Sequence, residues 1–128
     1  MLEMTVRANY TCHLDQRERY LLEMRDHNYF VYITTNPARS VIYVGMTNDL
    51  PTRLLQHYEN RGKSKTWAGR YYCYNLVWFE RHQYVTNAID REHEIKKWRR
   101  EKKNNLIEAM NPDWKFLNKE IGAWDYLE

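Results

Sequence analysis

Cysteine, proline and glycine are all scarce in this chain. Its 128 residues hold two cysteines, three prolines and four glycines. So little glycine and proline excludes collagen-like and linker-like chains. Cys12 and Cys73 lie far apart and form no metal-ligand spacing. Both are expected as free thiols, as in a reducing cytoplasm. Long apolar runs are missing too. The longest, Val41-Ile42-Tyr43-Val44-Gly45-Met46, falls far short of the roughly 20 residues of a membrane span. Met1-Leu2-Glu3-Met4 lacks the basic-then-apolar order of a secretory signal. Internal repeats and low-complexity tracts are absent.

What is present is a globular composition, 43% apolar and 29% charged, which excludes disorder by low hydrophobicity. A chain of this length makes one domain and buries a modest core unaided. Aromatics reach 15%, with eleven tyrosines. That exceeds what packing needs and points to surfaces that stack or hydrogen-bond. The net charge is only +3, but it is uneven. From Arg53 to Lys103 there are thirteen Lys and Arg against six Asp and Glu; the remainder holds seven against eleven. A basic middle beside acidic ends is what a phosphate-binding face produces, although a solvated charged helix accounts for part of it.

The pattern predicts a helix over 15–26, in an N-terminal extension covering 1–28, before a domain over 29–128. Tyr29 to Thr35 and Val41 to Met46 read as strands joined by the turn cluster Asn36-Pro37-Ala38-Arg39-Ser40, hence a hairpin. Asn48 or Asp49 caps a helix with Pro51 in its first turn, running to about Tyr58. A basic, glycine-containing loop follows to Arg70. Tyr71 to Glu80 reads as a third strand. Thr86 or Asn87 is expected to cap a second helix with the apolar stripe Ala88, Ile89, Ile95 and Trp98. A short helix over 101–110 stops before Asn111-Pro112. The tail from Trp114 to Glu128 is expected to pack back on the body.

Three features carry chemistry. Glu92 falls near the centre of the apolar stripe, where an unpaired carboxylate costs several kcal/mol. It must meet a cation or hydrogen bond, or bind a metal; a hard divalent ion needs only one or two carboxylates. Arg53 and His57 are four apart, on one helix face. A guanidinium suits a phosphate, and a histidine one turn away suits proton handling near neutral pH. Tyr32 and Tyr43 lie on the two hairpin strands. Strand tyrosines pack; one whose hydroxyl meets a water or phosphate becomes a general base if adjacent positive charge lowers its pKa.

Phe30-Val31-Tyr32, then Tyr43-Val44-Gly45, then Arg53, His57 and Glu92 follow one another in an order that resembles the GIY-YIG nuclease superfamily. Phe30 stands where the family usually has glycine. The likeness is to small stand-alone members, akin to the nuclease domain of the excision-repair endonuclease, and covers about 29–118. It implies an α+β fold, a small three-stranded mainly antiparallel sheet flanked by helices. It also implies metal-dependent hydrolysis of phosphodiesters: an endonuclease, on DNA above all, in repair or processing. Glu92 would hold one Mg²⁺ or Mn²⁺ ion. Arg53 would neutralise phosphate charge, and His57 would accept a proton or position a tyrosine. The base is left open between Tyr32 and Tyr43, Tyr32 being favoured. Asn118, with Asn111 as rival, is the candidate for the family's asparagine. Gly45 would allow close backbone approach. Arg61, Lys63, Lys65, Trp67, Arg70 and Lys96 would contact nucleic acid through its backbone and, at Trp67, through stacking. The alternatives are a non-catalytic or partner-dependent nucleic-acid-binding protein, and an interaction module using the tail from Trp114 to Tyr126. A protein partner and the oligomeric state stay open.

Overall fold

The computed structural model describes residues 28–123. The expected helix over 15–26, Cys12 and the last residues of the tail, 124–128, lie outside them. Three strands form one antiparallel sheet in the order β2-β1-β3: β1 (Tyr29–Thr35), β2 (Ile42–Thr47) and β3 (Asn75–His82). The hairpin closes on Asn36. Its side-chain oxygen accepts from the Ser40 and Val41 amides at 2.8 and 3.0 Å, which fixes a turn with Arg39 in the left-handed region at φ 59°. The register places Tyr32 opposite Gly45 and Thr34 opposite Tyr43. Tyr32 and Tyr43 therefore share a face, as diagonal neighbours.

Alternation along the strands feeds two cores. Val31, Ile33, Ile42 and Val44 face one side, where Ala88, Ile95 and Ile107 pack on them. These last residues come from α3 (Val85–Lys96) and α4 (Arg100–Met110). Tyr32 faces the other side with Leu76, Leu117 and two leucines, Leu50 and Leu54, of α1 (Leu50–Glu59). Asp49 caps α1, accepting from the Thr52 amide at 3.3 Å, and Pro51 occupies the first turn. Among the described residues no helix is long and apolar enough to cross a membrane.

Three local expectations are corrected. The basic loop contains a short helix, α2 (Trp67–Arg70), capped by Thr66, whose hydroxyl accepts from the Gly69 amide at 3.0 Å. A Cβ at Gly69 would lie 2.5 Å from the Asn60 carbonyl, so only glycine fits this close turn. The third strand begins at Asn75, not Tyr71. Tyr71 to Tyr74 are held instead in turns on α2, with the Tyr72 and Cys73 amides donating to the Gly69 and Ala68 carbonyls. Finally, α3 starts at Val85 behind Tyr84 and has no side-chain cap, so neither Thr86 nor Asn87 plays that part. Its buried line is Ala88 and Ile95; Ile89 sits 36% exposed and is not part of it. Arg91 and Glu92 flank that line. Arg91 donates to Glu80 at 2.9 Å and to Glu94 at 3.1 Å.

The C-terminal segment packs back as expected through 123. Leu117 is buried, and its amide donates to the Leu76 carbonyl at 2.7 Å. Cys73 is a buried free thiol, pushed up to about 11 by burial, with Arg100 opposing.

Candidate active site

The face shared by Tyr32 and Tyr43 meets the side of α1 that carries Arg53 and His57. Their spacing of four puts both side chains over the strands. Tyr32 is fully buried and its hydroxyl lies 2.8 Å from His57 Nε2. Arg53 Nε donates to the same Tyr32 oxygen at 3.4 Å, and Arg53 Nη1 donates to Gln56 at 3.0 Å. The Tyr43 ring lies edge-on to His57 with centroids 5.3 Å apart, and tilted against Tyr32 at 6.3 Å. Four of the expected site residues thus form one contact cluster.

Gly45 makes the cluster possible. A Cβ there would lie 2.6 Å from the Tyr32 hydroxyl and 2.8 Å from Tyr43 Cε2. Both rings crowd under a bare stretch of backbone, and any side chain would displace them.

The electrostatics are set by burial. Burial first, then Tyr43 and Glu92, hold the Tyr32 phenol well above its ordinary pKa, with Arg53 opposing. Burial and the Arg53 charge push His57 down to about 4, so the imidazole is neutral at neutral pH. Burial works against the Arg53 cation, but its hydrogen bond to Tyr32 and the two tyrosines outweigh that and keep it charged.

Glu92 reaches this cluster through charge and not through a bond. Its side chain is 16% exposed and pairs with Lys96 Nζ at 3.0 Å, with His93 Nε2 at 3.8 Å. Among the described residues no three His, Cys, Asp or Glu side chains come together as a metal cage. A lone, largely buried carboxylate does fit a hard divalent ion that keeps most of its waters and takes further oxygens from a substrate.

The basic and aromatic candidates divide. Trp67, 48% exposed, stacks on Tyr43 with centroids 6.3 Å apart and planes at 27°. Tyr71 leans on Trp67 at 4.8 Å. Trp67 therefore extends the Tyr32, Tyr43 and His57 cluster outward, which its position in a loop did not disclose. Lys63, Lys65 and Arg70 are exposed around it. Arg61 is turned back, its guanidinium 3.7 Å from the Tyr58 ring and donating to the Tyr58 carbonyl. Both asparagines lie in the body of the protein. Asn118 accepts from the Leu76 amide at 2.9 Å and donates to the Tyr74 carbonyl at 3.0 Å. Asn111 donates to the Val77 and Lys115 carbonyls. Sequence reasoning missed Gln56, although its spacing of three from Arg53 on a helix is a readable signal.

The family model of the GIY-YIG catalytic domain matches residues 28–105. A UPF0213 protein of Bacillus pumilus is 34% identical over 87 residues, spanning 68% of this chain and 86% of that protein. A UPF0213 protein of Haloquadratum walsbyi is 38% identical over 85 residues, spanning 66% of this chain and 91% of that protein. No solved structure matches the chain. The matched span runs from the first strand of the sheet into α4, and over it the chain belongs to the GIY-YIG family.

Proposed function

We propose that the protein is an endonuclease that hydrolyses phosphodiester bonds in nucleic acid, DNA foremost, with one divalent ion, Mg²⁺ or Mn²⁺. The observation that carries this reading is the chain of hydrogen bonds from the half-buried Arg53 into the buried Tyr32–His57 contact beneath the bare backbone of Gly45.

In this reading each residue has one task. Arg53 has five N–H donors, of which one meets Tyr32 and one meets Gln56. It also interacts with Tyr43, and its remaining N–H groups are left to hold a phosphate and offset the charge that grows on it. Tyr32 is a neutral phenol at rest. It takes the proton of the attacking water as it passes its own to His57 Nε2, so no free phenolate forms. Burial and then the Arg53 charge hold His57 down; arrival of a phosphate at Arg53 offsets the second of these, and His57 becomes a better acceptor. Tyr43, fixed between His57 and Trp67, orients the water. Glu92 would hold the ion, which when bound supplies Lewis-acid charge at the phosphoryl oxygens. Lys96 would exchange its pairing with Glu92 for the nucleic-acid backbone. Trp67 and the exposed cations around it support contact with nucleic acid.

The test is cleavage of supercoiled plasmid and a branched oligonucleotide at low salt, with Mg²⁺ and then Mn²⁺, by the wild type and Glu92→Gln. Cutting by the wild type alone is expected. Equal cutting by both would remove Glu92 from the chemistry. Binding without cutting, tightened in Glu92→Gln, would make the protein a nucleic-acid binder on the same fold.

A further inference from the structure

A groove of about 560 Å³ opens beside Arg53. Its walls come from the end of β2 and the first turns of α1, with Met46, Asn48, Thr52, Arg53 and Gln56 among them and Tyr29 at its edge. Of the catalytic cluster only Arg53 lines it. Along β2 the order is Tyr43, Gly45, Thr47. The stack of Tyr43 on Trp67 marks one end, the Tyr32 hydroxyl lies under Gly45 in the middle, and the groove occupies the other end.

Its size falls within the roughly 300–1,000 Å³ of small-molecule sites. Its chemistry is mixed in a particular way. Tyr29 and Met46, half-buried against the larger core, offer apolar surface. Asn48 is exposed, and among the described residues its carboxamide makes no hydrogen bond. Gln56 accepts from Arg53 through Oε1 and keeps both its N–H donors. Free carboxamides read the donor and acceptor edge of a base, and apolar or aromatic surface takes its face. The acid of the groove, Asp49, is engaged in capping α1. An anion therefore sits best at the Arg53 end, with the uncharged part of a ligand further along.

We propose that this groove is a nucleoside subsite: it holds the base and sugar adjoining the phosphate bound by Arg53, and Asn48 and Gln56 read that base. The identity of the phosphate as the one being cleaved rests on the nuclease reading above. Gln56 then has two roles, since it also tethers Arg53.

Two measurements test this. In the first, the four deoxynucleoside 5′-monophosphates are titrated by NMR against the wild type, Asn48→Ala and Thr52→Trp. Thr52 is exposed on the first turn of α1, so a bulky residue fills the groove without entering the core. Amide shifts at 46–56 and a loss of affinity of roughly tenfold or more in either variant are expected. Shifts elsewhere only, or unchanged affinity in both variants, would overturn the subsite. In the second, an oligonucleotide that the wild type cuts is remade with a single abasic residue at each position around the cut. Cutting slowed roughly tenfold at one adjoining position, an effect lost in Thr52→Trp, is expected. Equal cutting of the whole series would overturn the subsite and leave the nuclease standing. A wild type that cuts nothing would overturn the nuclease reading, and the monophosphate titration would then decide the groove alone.

Discussion

The Tyr32 hydroxyl and His57 Nε2 lie 2.8 Å apart in a buried contact, and Tyr32 is its donor when His57 carries its hydrogen on Nδ1. Arg53 Nε carries a hydrogen and must donate into the Tyr32 oxygen. His57 is neutral and has a lone pair to offer. In that tautomer the chain of donors runs Arg53, Tyr32, His57. A buried phenol held in this way is poor as a free base. It is well suited to relay a proton inward.

Tyr32→Phe is the direct test of that relay. Removing the hydroxyl leaves His57 Nε2 without a donor and Arg53 Nε without an acceptor, both in or near the core. A loss of about 1–3 kcal/mol in stability is expected in denaturant unfolding. In single-turnover cleavage the rate should fall by roughly 10²–10⁴, the usual worth of a positioned acid or base. A destabilised variant with an undiminished rate would take Tyr32 off the proton path.

Stability should depend on pH through His57. In the folded protein this residue stays neutral until about pH 4, whereas an unfolded histidine titrates near about 6.5. On acidification the unfolded chain takes up its proton first. His57 therefore costs nothing above about pH 6.5, destabilises the fold progressively between there and about 4, and costs no more below; the whole loss is about 3 kcal/mol. Urea midpoints measured across that window should fall steeply for the wild type. They should fall less for His57→Gln, which has no imidazole to protonate. Parallel curves would mean that other groups dominate the acid limb.

Much of this was legible where geometry is encoded locally. Asn36 closes the hairpin, and Asp49 with Pro51 starts α1; each acts on neighbours a few residues away. The third strand shows the opposite. Tyr71 to Tyr74 have a strand's composition, yet backbone bonds to α2 and a left-handed Tyr72 at φ 60° hold them in turns. Beta propensity reports a residue's fit to a pleated surface and does not say whether one is there. At the site, the order of Tyr32, Tyr43, Gly45, Arg53, His57 and Glu92 is visible as a motif. Their contacts are not, because they depend on the register that sets Tyr32 against Gly45. The neutrality of His57 is likewise a consequence of burial, which spacing alone does not reveal.

Gly45→Ala tests the crowding directly. One methyl group would meet the Tyr32 hydroxyl at 2.6 Å and the Tyr43 ring at 2.8 Å. Both belong to tyrosine side chains flanked by packed neighbours and can move only by disturbing His57 and Trp67. Overpacking of this kind costs about 1–3 kcal/mol. The fold should survive with a lowered melting temperature, while cleavage should drop at least as far as in Tyr32→Phe. Wild-type activity in Gly45→Ala would show that the two rings have room to adjust.

The salt dependence of binding should trace to the cations around Trp67. Lys63, Lys65 and Arg70 are exposed, and among the described residues none of them is in a salt bridge. Arg61, folded over Tyr58, and Lys96, paired with Glu92, are already engaged. Each phosphate contact contributes roughly 0.7–0.9 to the slope of log affinity against log salt. Replacing the three free cations together by alanine should reduce that slope by about 2 to 3, measured by fluorescence anisotropy of a labelled oligonucleotide from about 50 to 200 mM salt. Arg61→Ala should leave it nearly unchanged. Identical slopes for the wild type and the triple variant would place the nucleic-acid backbone elsewhere, with the run of cations from Lys96 to Lys103 as the next surface to test.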